Sequence, residues 1–546
     1  MGKSFLALIE QSIKQNWDVD ALSDIEGSTL KYKDVAKGIA ELHIFFDKAG
    51  VKAGDKIALC GKNSSNWGVI FLATLTYGAV CVPILSDFKA DNIHNIVNHS
   101  DSIVLFVDES IWENLDEGSM QKLKAVLQIS DYAVLVDRLS TLHTLRNNME
   151  DLFIRKFVEF NPDVISYHVD APDELAYISY TSGTTSFSKG VMIPYRSLWS
   201  NIRFAQDNMP IKQGDNHVCM LPMAHAFGLL FSFLFEFANG CHTYFLSRPN
   251  PKIIFKAYKE LRPTLIITVP LVIEKIVRKN IFPVFSGAKM TLLMLIPALR
   301  RFAYQKIREK LFQLFGGNFI ELVIGGAALS PDVEDFLKKI NFPFTVGYGM
   351  TECGPLISYA SSTTFKAHSC GHPVDRLKVK IVSDDVEHAP GEVLVKGDNV
   401  TLGYYKGDMD NAKSFDADGW FHTGDIAIMD KEENIYLKGR CKTMLLGSNG
   451  QNIYPEEIED QLNHLPYVVE SLVVQRDGKL VALVHPNYNE GVVNGLSIEQ
   501  VNKLVEDSRV VLNKKLPHYS QIANFQIYPE EFDKTPKRSI KRFLYN

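Results

Sequence analysis

Along the first half of the chain, apolar positions gather into short runs separated by turn residues. Residues 55–60 and 78–83 read as strands, with helical spacing over 67–77 between them. The continuous apolar runs at 103–107 and 133–136 predict two further buried strands, and residues 175–180 alternate as a strand does. Residues 265–270 form another apolar run, which ends at a proline. Such alternation of strands with helical stretches predicts doubly wound α/β architecture around a largely parallel sheet. The 281–315 section is apolar and helix-rich, with Arg300, Arg301, Lys306, Arg308 and Lys310 on a solvated face. Residues 322–331 read as a strand, a glycine turn, and Ser330-Pro331 capping a helix. Short strands and turns from 391 to 405 predict a β-rich subdomain.

Composition narrows the class. The 546 residues can build several cores, and 46% hydrophobic with 22% charged residues is ordinary for a globular protein. A net charge of −6 argues against a general nucleic-acid partner, since phosphate contacts need a basic excess. The seven cysteines include no Cys-x-x-Cys pair, so neither a zinc site nor a disulfide framework is expected, and a cytoplasmic location fits. The N-terminus lacks the apolar core of a signal peptide. The greasiest window, 228–237, is too short to span a bilayer and carries Glu236; it reads as a buried helix beside an apolar ligand. Peripheral contact at the inner membrane face stays open, as does the choice between monomer and homodimer.

The strongest chemical signal is Tyr180-Thr181-Ser182-Gly183-Thr184-Thr185-Ser186-Phe187-Ser188-Lys189-Gly190. A hydroxyl- and glycine-rich turn leaving a strand offers free backbone N–H groups to an anion, and Lys189 adds a mobile cation. That chemistry holds polyphosphate, although a polar surface loop would have similar composition. Lys189-Gly190 is followed by Val191, not by the hydroxyl of a P-loop, so a P-loop kinase or ATPase is not indicated. The string resembles the phosphate-binding signature of the adenylate-forming superfamily of acyl-CoA synthetases, peptide-synthetase adenylation domains and luciferases. It departs from that signature at Ser186, usually Gly, and at Ser188, usually Pro.

The second signal is Gly347-Tyr348-Gly349-Met350-Thr351-Glu352. Its glycines allow close approach, Tyr348 offers a stacking face, Thr351 a hydroxyl, and Glu352 a hard oxygen ligand for Mg²⁺. It resembles the superfamily's Tyr-Gly-x-Thr-Glu without departure. The resemblance extends to Leu221-Pro222-Met223-Ala224-His225-Ala226-Phe227-Gly228, where it implies that His225 borders the carboxylate pocket. It implies that Gly326 and Ala327 form a wall for adenine and the acyl carboxylate, and that Thr184 joins Glu352 in holding Mg²⁺. In Asp418-Gly419-Trp420-Phe421-His422-Thr423-Gly424-Asp425, the last carboxylate can accept two hydrogen bonds from a ribose diol. The resemblance gives Asp425 that role and makes Arg440 the second ribose contact.

Lys442 falls where relatives carry a hinge, which divides the chain into an N-terminal part of two doubly wound subdomains plus the β-rich one (1–440) and a small mobile α+β C-terminal domain (441–546). Gly450 lies in the element that passes the pantetheine arm of CoA. In Lys534-Thr535-Pro536-Lys537-Arg538-Ser539-Ile540-Lys541-Arg542, alignment on Thr535, Ile540 and Arg542 puts Ser539 where the superfamily's catalytic lysine belongs. Lys537 and Lys541 are the candidate replacements; a solvated basic tail is the alternative.

The implied chemistry is activation of a carboxylic acid by ATP and Mg²⁺ to an acyl-adenylate, then transfer to CoA. The apolar 229–237 run, the 281–315 section and the Lys541-Arg542-Phe543-Leu544-Tyr545 ending look most like long-chain fatty acid–CoA ligases. Transfer to a carrier protein is one alternative. A nucleotide- or acyl-binding protein impaired in adenylation by Ser539 is the other.

Overall fold

The protein is described here from a computed structural model covering residues 3–25, 27–181, 189–285, 296–446, 452–476, 478–534 and 540–545, the side chains at 280, 284, 285, 452 and 519 excepted. The chain divides into two compact units. The first comprises residues 1–181, 188–379 and 395–421; the second comprises 182–187, 380–394 and 422–546.

The first unit is built on a seven-stranded sheet. Its order is Val134–Asp137, Ala125–Gln128, Ser102–Val107, Lys56–Cys60, Val80–Ile84, Leu175–Thr181 and Lys189–Pro194. The five inner strands run parallel and both outer strands antiparallel, so the expected parallel sheet is present with capped edges. Apolar side chains of Ala58, Val82, Leu105 and Ile178 are fully buried against the covering helices, which is why those strands read as unbroken apolar runs. Residues 133–136, expected as a buried strand, instead form an edge strand with only Val136 buried, because an edge has a neighbour on one side alone.

A four-stranded sheet joins Asn216–Cys219, His242–Phe245, Asp20–Asp24 and Thr29–Lys31, the first three parallel. The Asp20–Asp24 strand had no visible signal in the sequence; it pairs with the nearby Thr29–Lys31 on one side and with His242–Phe245 on the other. A third sheet, Leu265–Thr268, Glu321–Ile324 and Phe344–Val346, is entirely parallel. The Leu265–Thr268 strand stops short of Pro270, which opens the following helix at its first turn.

The apolar window forms one continuous helical stretch, from Ala226–Leu229 through a π-helical turn at Leu230–Leu234 to Phe235–Ala238. Nearly all of it is buried, as expected. The 281–315 section holds the expected helix, with Arg300, Arg301, Lys306, Arg308 and Lys310 on an exposed face. Its helix Pro297–Leu314 buries only Leu311 and leaves Leu299 and Phe302 exposed beside Arg300 and Arg301. Among the described residues no helix is long and apolar enough to cross a membrane.

The second unit holds the hairpin Phe421–Met429 and Ile435–Arg440 from residue 422 onward. It also holds a mixed three-stranded sheet of Val468–Arg476, Lys479–Pro486 and Asn524–Ile527. Successive residues of the long strand face opposite sides. Val473 joins Leu462, Val505 and Leu512 of the helices Pro455–Asn463 and Ile498–Asn513, while Leu472 and Val474 pack with Phe532. The described part of the C-terminus is docked on this unit rather than a free solvated tail. Lys534 reaches Glu470 at 2.7 Å, Arg542 is paired with the buried Glu459, and Tyr545 packs edge-on against Phe532.

Candidate functional site

The carboxyl ends of parallel strands are where α/β sheets collect ligands, and in the first unit several expected residues collect there. Gly325 and Gly326 follow the Glu321–Ile324 strand; the Tyr348–Gly349 strand starts two residues beyond Phe344–Val346. The Gly347 N–H donates to Ile324 O at 2.9 Å and ties the two turns together. Gly326 adopts φ +85°, a conformation that favours glycine, and with Ala327 it is exposed. Helix Pro331–Lys339 follows, but Ser330 does not cap it with its hydroxyl as expected. The Ser330 N–H and O–H both donate to Glu274, at 2.9 and 2.6 Å, a charge-assisted pair that orients the hydroxyl toward that carboxylate.

His225 is half-buried at the N-cap of the helix Ala226–Leu229, its N–H donating to Pro222 O at 3.0 Å. Two residues on, the Phe227 ring lies where a side chain on Gly325 would be, 2.8 Å from an added Cβ. The histidine-bearing element and the Gly325-Gly326 turn therefore meet at the Phe227 ring.

The Glu352 corner is fixed by buried amides that its own segment does not reveal. Asn201, on the helix Tyr195–Asn208, donates to Cys353 O at 3.2 Å and accepts from the Leu356 N–H at 3.0 Å. Asn399 donates to Leu356 O at 2.7 Å. A side chain on Gly349 would collide with Pro355 O, and one on Gly354 with Ser197 Oγ. Tyr348 is 6% exposed, and Thr351 opens the single helical turn Thr351–Cys353.

The stretch 401–405 links this corner to the strand that leaves the hydroxyl-rich loop. The Thr401 N–H donates to Glu352 O at 2.8 Å and its hydroxyl to Met192 O at 2.6 Å. The Met192 N–H donates to Gly403 O at 2.9 Å and the Tyr405 N–H to Gly190 O at 2.8 Å. Thr181 and Lys189 pair opposite one another where the loop's two flanking strands meet. Ser182, Gly183, Thr184 and Thr185 lie outside the described residues.

On this frame sit three side chains in a row. The Tyr404 hydroxyl donates to Glu352 Oε1 at 2.9 Å. Lys189 Nζ lies 5.1 Å over the Tyr404 ring and 2.6 Å from Asp410 Oδ1. Burial and the adjacent Glu352 carboxylate push the Tyr404 phenol well above its usual range, so it stays a donor at any working pH. Tyr404 and Asp410 were not foreseen, because only contact with Lys189 and Glu352 distinguishes them from an ordinary turn.

Glu352 is half-buried, with Oε1 occupied by Tyr404. No group of three or more His, Cys, Asp or Glu able to hold a metal occurs among the described residues. Mg²⁺ does not require one, since it is usually held by one or two carboxylates plus substrate phosphates and water. Glu352 fits that demand.

In the second unit, Asp425 and Arg440 face each other across the hairpin, and Arg440 Nε donates to Asp425 Oδ1 at 2.8 Å. The side chain of Asp425 is 9% exposed and that of Arg440 59%. Gly424, at φ +70°, turns the strand here, and its N–H donates to Glu392 Oε1 at 3.2 Å. Lys442 lies in the turn after Arg440, where the N–H groups of Thr443 and Met444 donate back to Arg440 O. The helix Pro455–Asn463 starts as expected, with Pro455 first and Glu456 and Glu457 in its opening turn. Gly450, Lys537 and Ser539 lie outside the described residues. Lys541 donates its backbone N–H to Asp533 O at 2.8 Å, and its ammonium forms no ion pair among the described residues.

Known proteins give this geometry a context. A long-chain-fatty-acid–CoA ligase of Mycobacterium bovis is 25% identical over 90% of this chain and 86% of its own. A long-chain-fatty-acid–[acyl-carrier-protein] ligase of Arabidopsis thaliana is 26% identical over 84% of this chain and 73% of its own. The fold is shared with ATP-bound MatB from Rhodopseudomonas palustris, at TM-score 0.76, 20% identity and 98% coverage of both chains. The AMP-binding enzyme family matches residues 9–405. The resemblance drawn from the ordered motifs is borne out, and this chain belongs to the AMP-binding enzyme family.

Proposed function

We propose that the chain is an AMP-forming acyl-CoA ligase that activates a long-chain fatty acid with ATP and passes the acyl group to CoA. The observation that carries the reading is the row Glu352, Tyr404, Lys189 on one hydrogen-bonded frame beside the phosphate-loop strands. A carboxylate oxygen attacks the α-phosphorus of ATP, pyrophosphate leaves, and a thiol sulfur then displaces AMP from the acyl carbon. Two anions must meet in the first half-reaction, so the protein has to supply compensating positive charge and fixed donors at the phosphates.

Lys189 is proposed to hold the departing phosphates together with the loop donors Thr181 to Thr185. Glu352, and Thr184 with it, would hold Mg²⁺, which when bound neutralises phosphate charge. Asp425 is proposed to accept from the ribose hydroxyls with Arg440 beside it. The turn at Gly326 and Ala327, with Tyr348, Gly349 and Thr351, is proposed to receive the adenine, and His225 to border the acyl carboxylate. Lys442 is proposed as the pivot between the half-reactions, after which Gly450 admits the CoA arm. Lys537 or Lys541 is proposed to supply the charge that Ser539 lacks, and residues 1–440 and 441–546 as the functional domains. The names of the relatives and the apolar 226–238 helix support a long acyl chain. A cytoplasmic enzyme with peripheral membrane contact suits such a substrate.

The test is pyrophosphate release from palmitate, ATP and Mg²⁺ with and without CoA, across acids of increasing length. Release that peaks with long acids, and acyl-CoA formed only with CoA present, supports the reading. The carrier-protein ligase among the relatives makes acyl transfer to an acyl carrier protein the competing outcome. Silence across the whole panel would leave the chain a nucleotide- or acyl-binding protein.

A further inference from the structure

Lys189 is not waiting free for an anion. Its ammonium lies 2.6 Å from Asp410, on the short helix Asp408–Ser414, while the Tyr404 ring forms its floor at 5.1 Å. The helix is fastened in place. Asn411 accepts from the Tyr404 N–H at 2.6 Å and donates to Tyr404 O at 3.0 Å, bonding both backbone groups of the residue beneath Lys189. A side chain on Gly403 would crowd the same amide, 2.6 Å from Asn411 Oδ1. Strand and helix are thus locked one residue away from Asp410, so its carboxylate is presented to Lys189 by construction and not by the chance swing of a surface side chain.

We propose that Asp410 is a positioning residue for Lys189: it holds the ammonium over Tyr404 until polyphosphate takes its place as counter-ion. The inference rests on the reading above that Lys189 meets the phosphates. It adds a carboxylate that competes with the ligand for the same cation. Both partners are part-exposed, with side-chain exposures of 30% and 42%, so the pair is weak enough to be exchanged for a multiply charged anion. In exchange the ammonium keeps its aromatic floor, because Tyr404 is anchored independently at Glu352.

The experiment is calorimetric titration of inorganic pyrophosphate, and separately of AMP, into the full chain and its Asp410→Asn, Lys189→Ala and doubly substituted variants. Asp410→Asn is expected to bind pyrophosphate about two- to five-fold more tightly, the range of an exposed ion pair, with AMP affinity unchanged. The double variant is expected to match Lys189→Ala, since the carboxylate acts only through that ammonium. Asp410→Ala gives the same gain and guards against a peculiarity of asparagine. Unchanged or weaker pyrophosphate binding by both Asp410 variants overturns the inference and leaves the functional reading intact. So does a gain that persists without Lys189. A wild-type chain that binds no pyrophosphate overturns both.

Discussion

The Tyr404 hydroxyl donates to Glu352 Oε1 at 2.9 Å, and this bond joins the residue expected to hold the metal to the ring that carries Lys189. Tyr404→Phe keeps the ring beneath the ammonium and removes only the donor. A hydrogen bond to a charged group contributes about 1.5–3 kcal/mol. Pyrophosphate exchange should therefore fall by about ten-fold or more, and folding stability by no more than about 1.5–3 kcal/mol. An exchange rate equal to wild type would show that the phenol does not orient Glu352.

Asn201 satisfies one backbone acceptor and one backbone donor on either side of Pro355. Asn201→Ala takes its acceptor from the buried Leu356 N–H, at about 1–3 kcal/mol, and one donor from Cys353 O, at about 1 kcal/mol. We expect a chain destabilised in urea by about 2–4 kcal/mol and a larger loss of adenylation than of AMP binding. Full activity in a stable variant would mean that Glu352 is positioned without Asn201.

Asp425→Asn keeps the shape of the hairpin but weakens acceptance from a ribose diol and the bond from Arg440. ATP affinity should drop by about ten-fold, and 2′-deoxyATP should be penalised less by the substitution than ATP. Equal penalties for the two nucleotides would separate Asp425 from the ribose.

His217 and Glu236 form a buried pair, Nδ1 to Oε1 at 3.3 Å, beneath the apolar helix. Burial holds the His217 imidazole down at about 3, opposed by its contact with the Leu265 backbone, and burial holds the Glu236 carboxyl well above its usual range. The imidazole is therefore neutral near pH 7, and the carboxyl is shifted toward its protonated form. The unfolded histidine binds a proton below about 6.5 that the folded one refuses until about 3, so stability falls as pH drops through that window. The unfolded carboxyl releases its proton above about 4.5 while the folded one keeps it, so its contribution falls as pH rises beyond that value. Glu236→Gln removes the second dependence. The variant's melting temperature should gain on wild type steadily between about pH 5 and 8, and parallel curves would contradict the assignment.

Arg542 is paired with Glu459 and lies 3.7 Å from Glu456. Burial raises the Glu459 carboxyl, and the Arg542 guanidinium lowers it again. Arg542→Ala would strand that carboxyl, at about 3–5 kcal/mol. We expect early melting of the second unit, readable by hydrogen exchange across Val468–Arg476, and restoration by a further Glu459→Gln change.

What the sequence settled is whatever depends on short-range pattern. The inner parallel strands announced themselves because burial on both faces demands unbroken apolar runs, as at Ser102–Val107. The hydroxyl-rich 181–189 stretch and the Tyr348-to-Glu352 corner stood out because glycines, hydroxyls and a carboxylate at fixed spacing have few other reasons to stand together. Asp425 and Arg440 were named from the resemblance, but the hairpin that sets them opposite each other was visible only in the fold. Tertiary structure alone decided the rest. Tyr404, Asp410, Asn201 and Asn399 matter only through partners elsewhere along the chain, more than two hundred residues away for Asp410 and Lys189, and no local pattern encodes such pairings. The edge strand Val134–Asp137 was misread for the same reason. An apolar run records that a residue can be buried, but only the packing of distant elements determines whether anything arrives to cover it.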